Sequence, residues 1–251
     1  MDYERLRLTY RQTQAQRLQE TLERVSSRPQ AAAGGRVVPG DTDLALGTGR
    51  RLGMAVMFID LCGFSGRPAE NAQEQELLLR VFDFFFTEMI RVAEDYGGTV
   101  EKNTGDGLMA YFEDGGGTSA ESGAKRAVAC ALTMLDTTAW LINPVLRRSG
   151  VQEIDFRVGI DCGTVTVARI GAAKRFGSLV AIGTTANVAC KMLDVAGAGE
   201  ILIGAHAYHR LPPYWQGWCR PRTLDTGWSY RLTGLPYPFY QYTGRWAYPL
   251  W

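Results

Sequence analysis

Apolar residues recur along this chain with two periods. Over residues 72–95, Leu77, Leu78, Val81, Phe82, Phe85, Met89 and Val92 repeat at the spacing of one helix face. Phe84 and Phe86 widen that face, which suggests a further contact surface. The preceding run "LGMAVMFID" is apolar at nearly every position and predicts a strand covered on both sides. After the helix, "YGG" leads into a hairpin expected over Thr99 to Asn103 and Leu108 to Phe112. A second helix is predicted near Ala124 to Ile142. It is followed by "EIDFRVGIDCGTVTVARIG", which alternates well enough for two strands joined at Cys162 and Gly163. A third helix, roughly Thr185 to Val195, stops before Gly197. Ahead of all these, residues 4–26 carry a sparse stripe of Leu6, Tyr10, Leu18, Leu22 and Val25 among many charges, an arm for the domain or a partner. "SSRPQAAAGG" breaks that arm, and a connector runs to Arg51. Strand, helix, hairpin, helix, strand is the ferredoxin-like order of an α/β (α+β) fold. The expected organisation is residues 1–50 as N-terminal helix and linker, and 51–251 as one domain with an aromatic tail.

A chain of 251 residues that is 46% hydrophobic can bury one substantial core. Its 27 Lys and Arg nearly cancel 26 Asp and Glu, so no global basic field attracts a nucleic-acid backbone. "PPYWQGWCRPR" and "RWAYPLW" mix aromatics with arginines, but Pro and Gly interrupt them, and they read as a packing tail rather than a nucleic-acid site. Cys62, Cys130, Cys162, Cys190 and Cys219 form no CxxC pair and are expected to be reduced core thiols of a cytoplasmic protein. No apolar run is read as a membrane span, and "MDYERLRLTYRQTQ" is charged where a signal peptide would be greasy, so no membrane partner is expected. His206 and His209 lack zinc-ligand neighbours, and the glycines after Asp114 lack the Lys-Ser or Lys-Thr of a phosphate loop.

The chemistry concentrates on two acids. Asp60 closes the first apolar strand, and Asp106 stands between glycines in "VEKNTGDGLMAYF". On the ferredoxin-like plan that strand lies beside the hairpin, so the two carboxylates approach and need a cation, with magnesium or manganese suited to their hard oxygens. Amides of Cys62, Gly63, Phe64 and Ser65 are placed to cradle a phosphate tail.

With their flanks, "FIDLCGFSG", "EKNTGDGLMAYF", "RVGIDCGTVTVARIG" and "AIGTTANVACKM" resemble, in order, the signature blocks of class III nucleotidyl cyclase catalytic domains, over about Leu52 to Ile203. "YRLTGLPYPFYQY" is a weaker echo. The resemblance implies a central, mostly antiparallel sheet and two metal ions held by Asp60 and Asp106, with the Leu61 carbonyl assisting. It also implies attack of a ribose 3′-hydroxyl on the α-phosphate at a site shared by two chains. Asn187 matches the ribose-orienting residue, and Lys191 stands where the family has a transition-state Arg. Lysine keeps that charge but loses the planar fork, which leaves room for a second cation such as Arg169 or Arg175. Arg222 and Arg231 are weaker candidates for the leaving pyrophosphate.

Lys102 and Val180 occupy the positions that read the base in this family. Adenylate cyclases pair Lys with Asp there, guanylate cyclases Glu with, usually, Cys; this chain matches neither pair. Valine offers no acceptor to the exocyclic amine of adenine or cytosine, whereas the carbonyls of uracil suit Lys102, so UTP fits best. A short cyclase with an apolar residue at the second position is similar to the pyrimidine cyclases of bacterial Pycsar anti-phage systems. That resemblance implies cyclic UMP or CMP acting on a separate effector. An adenylate cyclase and a silent nucleotide-binding or dimerisation domain are the alternatives.

Overall fold

The computed structural model describes residues 8–27, 49–103, 105–114, 122–172, 176–223 and 226–247. Its spine is β1 (Gly49–Leu61), paired antiparallel with β3 (Gly107–Glu113) on one side and with β4 (Phe156–Ala172) on the other. β2 (Thr99–Asn103) flanks β3, while β6 (Ile201–Gly204) runs parallel to β4 and is followed outward by β8 (Phe239–Tyr242) and β7 (Cys219–Pro221). β5 (Phe176–Ile182) pairs with the far end of β4. The segment β2-β3-β1-β4, with α2 (Ala72–Asp95) between β1 and β2 and α3 (Gly123–Thr137) between β3 and β4, is the expected ferredoxin-like plan.

From Leu52 to Ile59, β1 carries no charged residue because both of its faces are covered. Ala55, Met57, Ile59 and Leu61 enter the main core with Phe85, Met89 and Val92 of α2 and Val128 and Ala131 of α3. Met54 and Val56 point the other way, into a smaller cluster with Met109, Tyr111, Val165 and Ala186. The start of α2 is fixed by a reciprocal cap, in which Asn71 Oδ1 accepts from the Glu74 amide and the Glu74 carboxylate accepts from the Asn71 amide. Such a box contributes about 1 kcal/mol.

Four expectations need correction. First, "FRVGIDCGTVTVARIGA" is one unbroken strand of 17 residues, not two joined at Cys162. β1 stays in register with it from Phe156 to Ala168, and Cys162 and Gly163 pair with Ala55 and Met54 without a bulge. The hairpin partner is instead β5.

Second, the helix after β3 does not stop at Ile142. A π segment (Thr138–Ile142) carries it into α4 (Asn143–Arg148). Pro144 has no amide to donate, and the Asn143 N–H reaches one residue further back than in an α-helix, to the Thr138 carbonyl.

Third, Phe84 and Phe86 do not form an outward surface; both are buried in the main core. α1 (Leu8–Ser27) lies across α2, with Leu18 and Leu22 sharing a cavity wall with Phe84. Fourth, residues 123–148 have the length and apolarity of a membrane span, although the sequence reading found none. Here they form the core-facing helices, with Ala124, Val128, Ala131 and Met134 packed against the sheet.

Candidate active site

β1 and β3 finish side by side. Asp60 pairs with Gly107, and the Leu61 amide donates to the Asp106 carbonyl at 3.1 Å. Facing residues of an antiparallel ladder keep their Cα atoms about 4.5–5.5 Å apart, so the register brings the two acids to one edge of the sheet. Gly105, at φ +79°, turns the chain into Asp106, a backbone conformation that favours glycine.

Asp60 has a partner that the sequence reading did not single out. Arg157 faces it across β4, and both Nε (2.9 Å) and Nη2 (2.7 Å) donate to Asp60 Oδ2. The only sequence signal was a charge at the head of an apolar strand, and its meaning depends on the β1–β4 register. Asp60 Oδ1 and the Asp106 carboxylate accept no hydrogen bond from the described residues. No group of three or more His, Cys, Asp and Glu gathers among the described residues. The donor set is therefore two carboxylates with unfilled lone pairs. It fits magnesium or manganese, which complete their shells with water and phosphate oxygens rather than with a protein cage.

The turn after Asp60 is pinned from below. The Cys62 amide already donates to the Asp155 carbonyl at 2.8 Å, so the phosphate cradle expected over Cys62 to Ser65 narrows to Gly63, Phe64 and Ser65. Gly63 takes φ +64°. Phe64 is buried against Phe82 (ring centroids 4.4 Å apart), with the Arg67 guanidinium 4.5 Å from its ring centroid. Burial pushes the Cys62 thiol above its ordinary range; Arg157 pulls it down, and Asp60 and Asp155 raise it.

α5 (Thr184–Leu193) presents Asn187, exposed, and Lys191, half-buried. Its closeness to the sheet depends on two glycines of β4: a Cβ on Gly159 would fall 2.1 Å from the Ala189 carbonyl, and one on Gly163 would fall 2.3 Å from Thr185 Oγ1. The Cys190 thiol, between Asn187 and Lys191 in sequence, is pushed above its ordinary range by burial first and then by the charges of Asp194 and Asp60. Val180 sits half-buried on β5 opposite Ala168. Lys102 pairs with Met109 beside a bulge in β2; its side chain, like that of Arg169 and the whole of Arg175, lies outside the described residues. Arg222 is not available to pyrophosphate, because it is held by Glu200 (2.9 Å) and Gln241 (3.0 Å). Arg231 is exposed. All five cysteines are free, but only Cys130, Cys162 and Cys219 are buried as core thiols; Cys62 is half-buried and Cys190 exposed.

Residues 50–221 match the family described as adenylate and guanylate cyclase catalytic domain. The chain is 26% identical over 170 residues to a uridylate cyclase of Rhodovulum sp. (strain MB263), covering 64% of this chain and 66% of that protein. It is 26% identical over 153 residues to an adenylate cyclase of Anabaena cylindrica, covering 61% of this chain but only 29% of that longer protein. Among solved structures, the adenylyl cyclase CyaB from P. aeruginosa superposes with a TM-score of 0.63 at 28% identity, covering 77% of this chain and 95% of that one. The guanylyl cyclase Cya2 gives 0.64 at 24% identity, covering 80% and 96%, and speaks for the fold alone. Since the family match takes in most of the chain, Asp60 and Asp106 included, this protein belongs to the adenylate and guanylate cyclase catalytic-domain family.

Proposed function

We propose that the chain is a pyrimidine nucleotidyl cyclase that converts UTP into 3′,5′-cyclic UMP and pyrophosphate, at a site shared by two copies. The observation that carries the cyclase reading is the meeting of Asp60 and Asp106 at adjoining strand ends, with carboxylate oxygens left unbonded. Two magnesium or manganese ions held by these acids, with the Leu61 carbonyl assisting, would supply Lewis acidity to the ribose 3′-hydroxyl and the phosphates. In the reaction the 3′-oxygen bonds to the α-phosphorus, the bond to pyrophosphate breaks, and the hydroxyl proton leaves to solvent. Asn187 would orient the ribose. Lys191 would offset charge on the α-phosphate, and the Gly63–Ser65 amides would hold the phosphate tail. Arg157 stands on Asp60 with a guanidinium fork that can also donate to phosphate oxygens as the nucleotide arrives.

Base choice rests on Val180 and Lys102. An exocyclic amine set against valine would be left unpaired, at about 1–3 kcal/mol, whereas uracil places carbonyl oxygens before a lysine. The similarity to the Rhodovulum uridylate cyclase supports the same choice. A soluble, cytoplasmic homodimer whose cyclic nucleotide acts on a separate effector in anti-phage defence is the biological setting that accords with this chemistry. The Anabaena relative keeps adenylate cyclisation as the second reading. Incubating the purified chain with each nucleoside triphosphate and Mn²⁺, and identifying products by mass, tests all of this. Cyclic UMP should dominate. Cyclic AMP as sole product overturns the base assignment, and no cyclic product from any triphosphate overturns the enzyme assignment.

A further inference from the structure

On the helical side of the sheet, away from α5, lies a cavity of about 390 Å³. This falls within the range of small-molecule sites, about 300–1,000 Å³. Its lining includes Leu132 of α3, Trp140 of the π segment, Ile154, Phe156 and, beyond β8, Trp246. The π turn matters here, because wide turns of this kind concentrate at functional sites and this one carries the 58%-exposed Trp140 to the rim.

The charges at the rim select the ligand. The Asp155 carboxylate, exposed at the mouth, receives no hydrogen bond and joins no ion pair among the described residues. Asp136 also lines the cavity but is engaged by Arg11 of α1. Arg245 directs Nη1 to the Gly244 carbonyl (2.8 Å) and Nη2 to the Gly199 carbonyl (3.2 Å). Arg245 keeps its charge but turns both terminal nitrogens onto backbone carbonyls, and the Trp246 indole already donates to Thr133, so the group with acceptor capacity to spare is the Asp155 carboxylate, which together with the aromatic lining favours an aromatic ligand that carries an amine donor. We propose that this cavity binds a compact aromatic amine, and that its occupancy is felt at the catalytic edge through the segment 153–157.

Ile154, Asp155 and Phe156 of that segment line the cavity, and the segment also anchors the turn after Asp60. The Glu153 carbonyl accepts from Arg67 Nη2 (2.6 Å), the Asp155 carbonyl from the Cys62 amide (2.8 Å), and Arg157 grips Asp60. From the helical side, Asn143, next to the π turn, clamps Ile154 with two hydrogen bonds, of 2.9 and 2.8 Å. A ligand that displaces Ile154 or Phe156 thus moves groups bonded directly to the turn after Asp60. The transmission rests on the cyclase reading; the binding does not.

Tryptamine and indole-3-acetate share a ring and carry opposite charges, which makes them suitable probes. By equilibrium dialysis and saturation-transfer NMR on the full chain, tryptamine should bind with a Kd below about 1 mM. It should bind about fivefold tighter than indole-3-acetate, the order of effect of one exposed ion pair. Asp155→Asn should bring the two probes within about twofold without changing the melting temperature, and Trp140→Ala should weaken both. Failure of tryptamine to bind, equal binding of both probes, or displacement of tryptamine by UTP overturns the site. In the cyclisation assay, saturating tryptamine should shift the apparent Mn²⁺ requirement at least twofold, and Arg67→Ala should reduce that shift. Binding with an unchanged Mn²⁺ requirement overturns the coupling. Binding in a chain that cyclises no nucleotide overturns the cyclase reading and leaves the site intact.

Discussion

Asp161 is an acid with no evident task in the reaction, and it is almost wholly enclosed, at 1% exposure. It lies between Gly159 and Gly163 on the stretch of β4 covered by α5. The Tyr237 hydroxyl donates to it at 3.1 Å, the Ala207 amide contributes a longer bond of 3.4 Å, and Arg210 is the cation that acts on it. Burial outweighs these and pushes its carboxyl up to about 7. The same burial raises Tyr237 further above its ordinary value, so that phenol remains a donor. A folded-state value raised above the unfolded one favours the protonated fold. Its contribution is complete below about pH 4 and is lost as pH rises through about 7. Asp161→Asn removes the ionisation and should flatten this dependence. Between pH 5 and pH 8, the wild-type chain should lose stability relative to the variant, by up to about 3 kcal/mol. Urea melts of both proteins at the two pH values measure it, and parallel losses would refute it.

At the scale of elements, α1 is held by a mostly polar seam. Glu88 of α2 is fully buried; Arg17 donates to it at 3.1 Å and to Asp95 at 2.6 Å, while Gln14 bridges Glu88 (3.4 Å) and Thr137 (2.7 Å). Burial raises the Glu88 carboxyl and Arg17 is the largest opposing influence, so the cation is what offsets the cost of enclosing this acid. Arg17→Ala should therefore destabilise the fold by about 2–4 kcal/mol, whereas Arg17→Met combined with Glu88→Leu should recover most of the loss. Denaturant midpoints of the three proteins decide it; a double variant as unstable as the single one would show that the seam holds α1 by packing rather than by charge. The apolar stripe of Tyr10, Leu18 and Leu22 was legible in the sequence, because a helix face repeats. The interleaved Gln14, Arg17 and Thr21 were not, since a buried polar residue looks like a solvated one until its partner is known. The same limit applied at the catalytic edge. Asp60 and Asp106 could be found from strand ends and flanking glycines, but Arg157 and the tie from Cys62 to Asp155 are facts of register. The unbroken β4 is not legible because Gly163, which admits Thr185 of α5, reads together with Cys162 as a turn.

For the molecule as a whole, the two faces of the sheet are unequally filled. The main core, against α2 and α3, is large; on the opposite face α5 packs with Leu202, Tyr237 and Phe239, and beside that cluster only a few side chains gather around Met54, Val56, Met109, Tyr111 and Val165. Tyr111 has its hydroxyl buried there with no hydrogen-bond partner among the described residues, a group whose desolvation costs about 1–3 kcal/mol unless something supplies a bond. Ile182, at the end of β5, is 50% exposed. A thin apolar layer with an unsatisfied hydroxyl supports a second copy of the chain as the missing cover. In that arrangement Asp60 and Asp106 of one chain would work with Lys102, Val180, Asn187 and Lys191 of the other. Asp106→Ala and Lys102→Ala should each abolish cyclisation alone, by opposite defects. When the two are mixed at equal amounts and allowed to exchange, half of the dimers would be mixed, and each would keep one complete site of two. The mixture should regain about a quarter of wild-type activity, as expected for an isologous pair. Mixed dimers demonstrated by mass and still inactive would show that each chain builds its site alone, and would assign the sheet face and Tyr111 to some other contact.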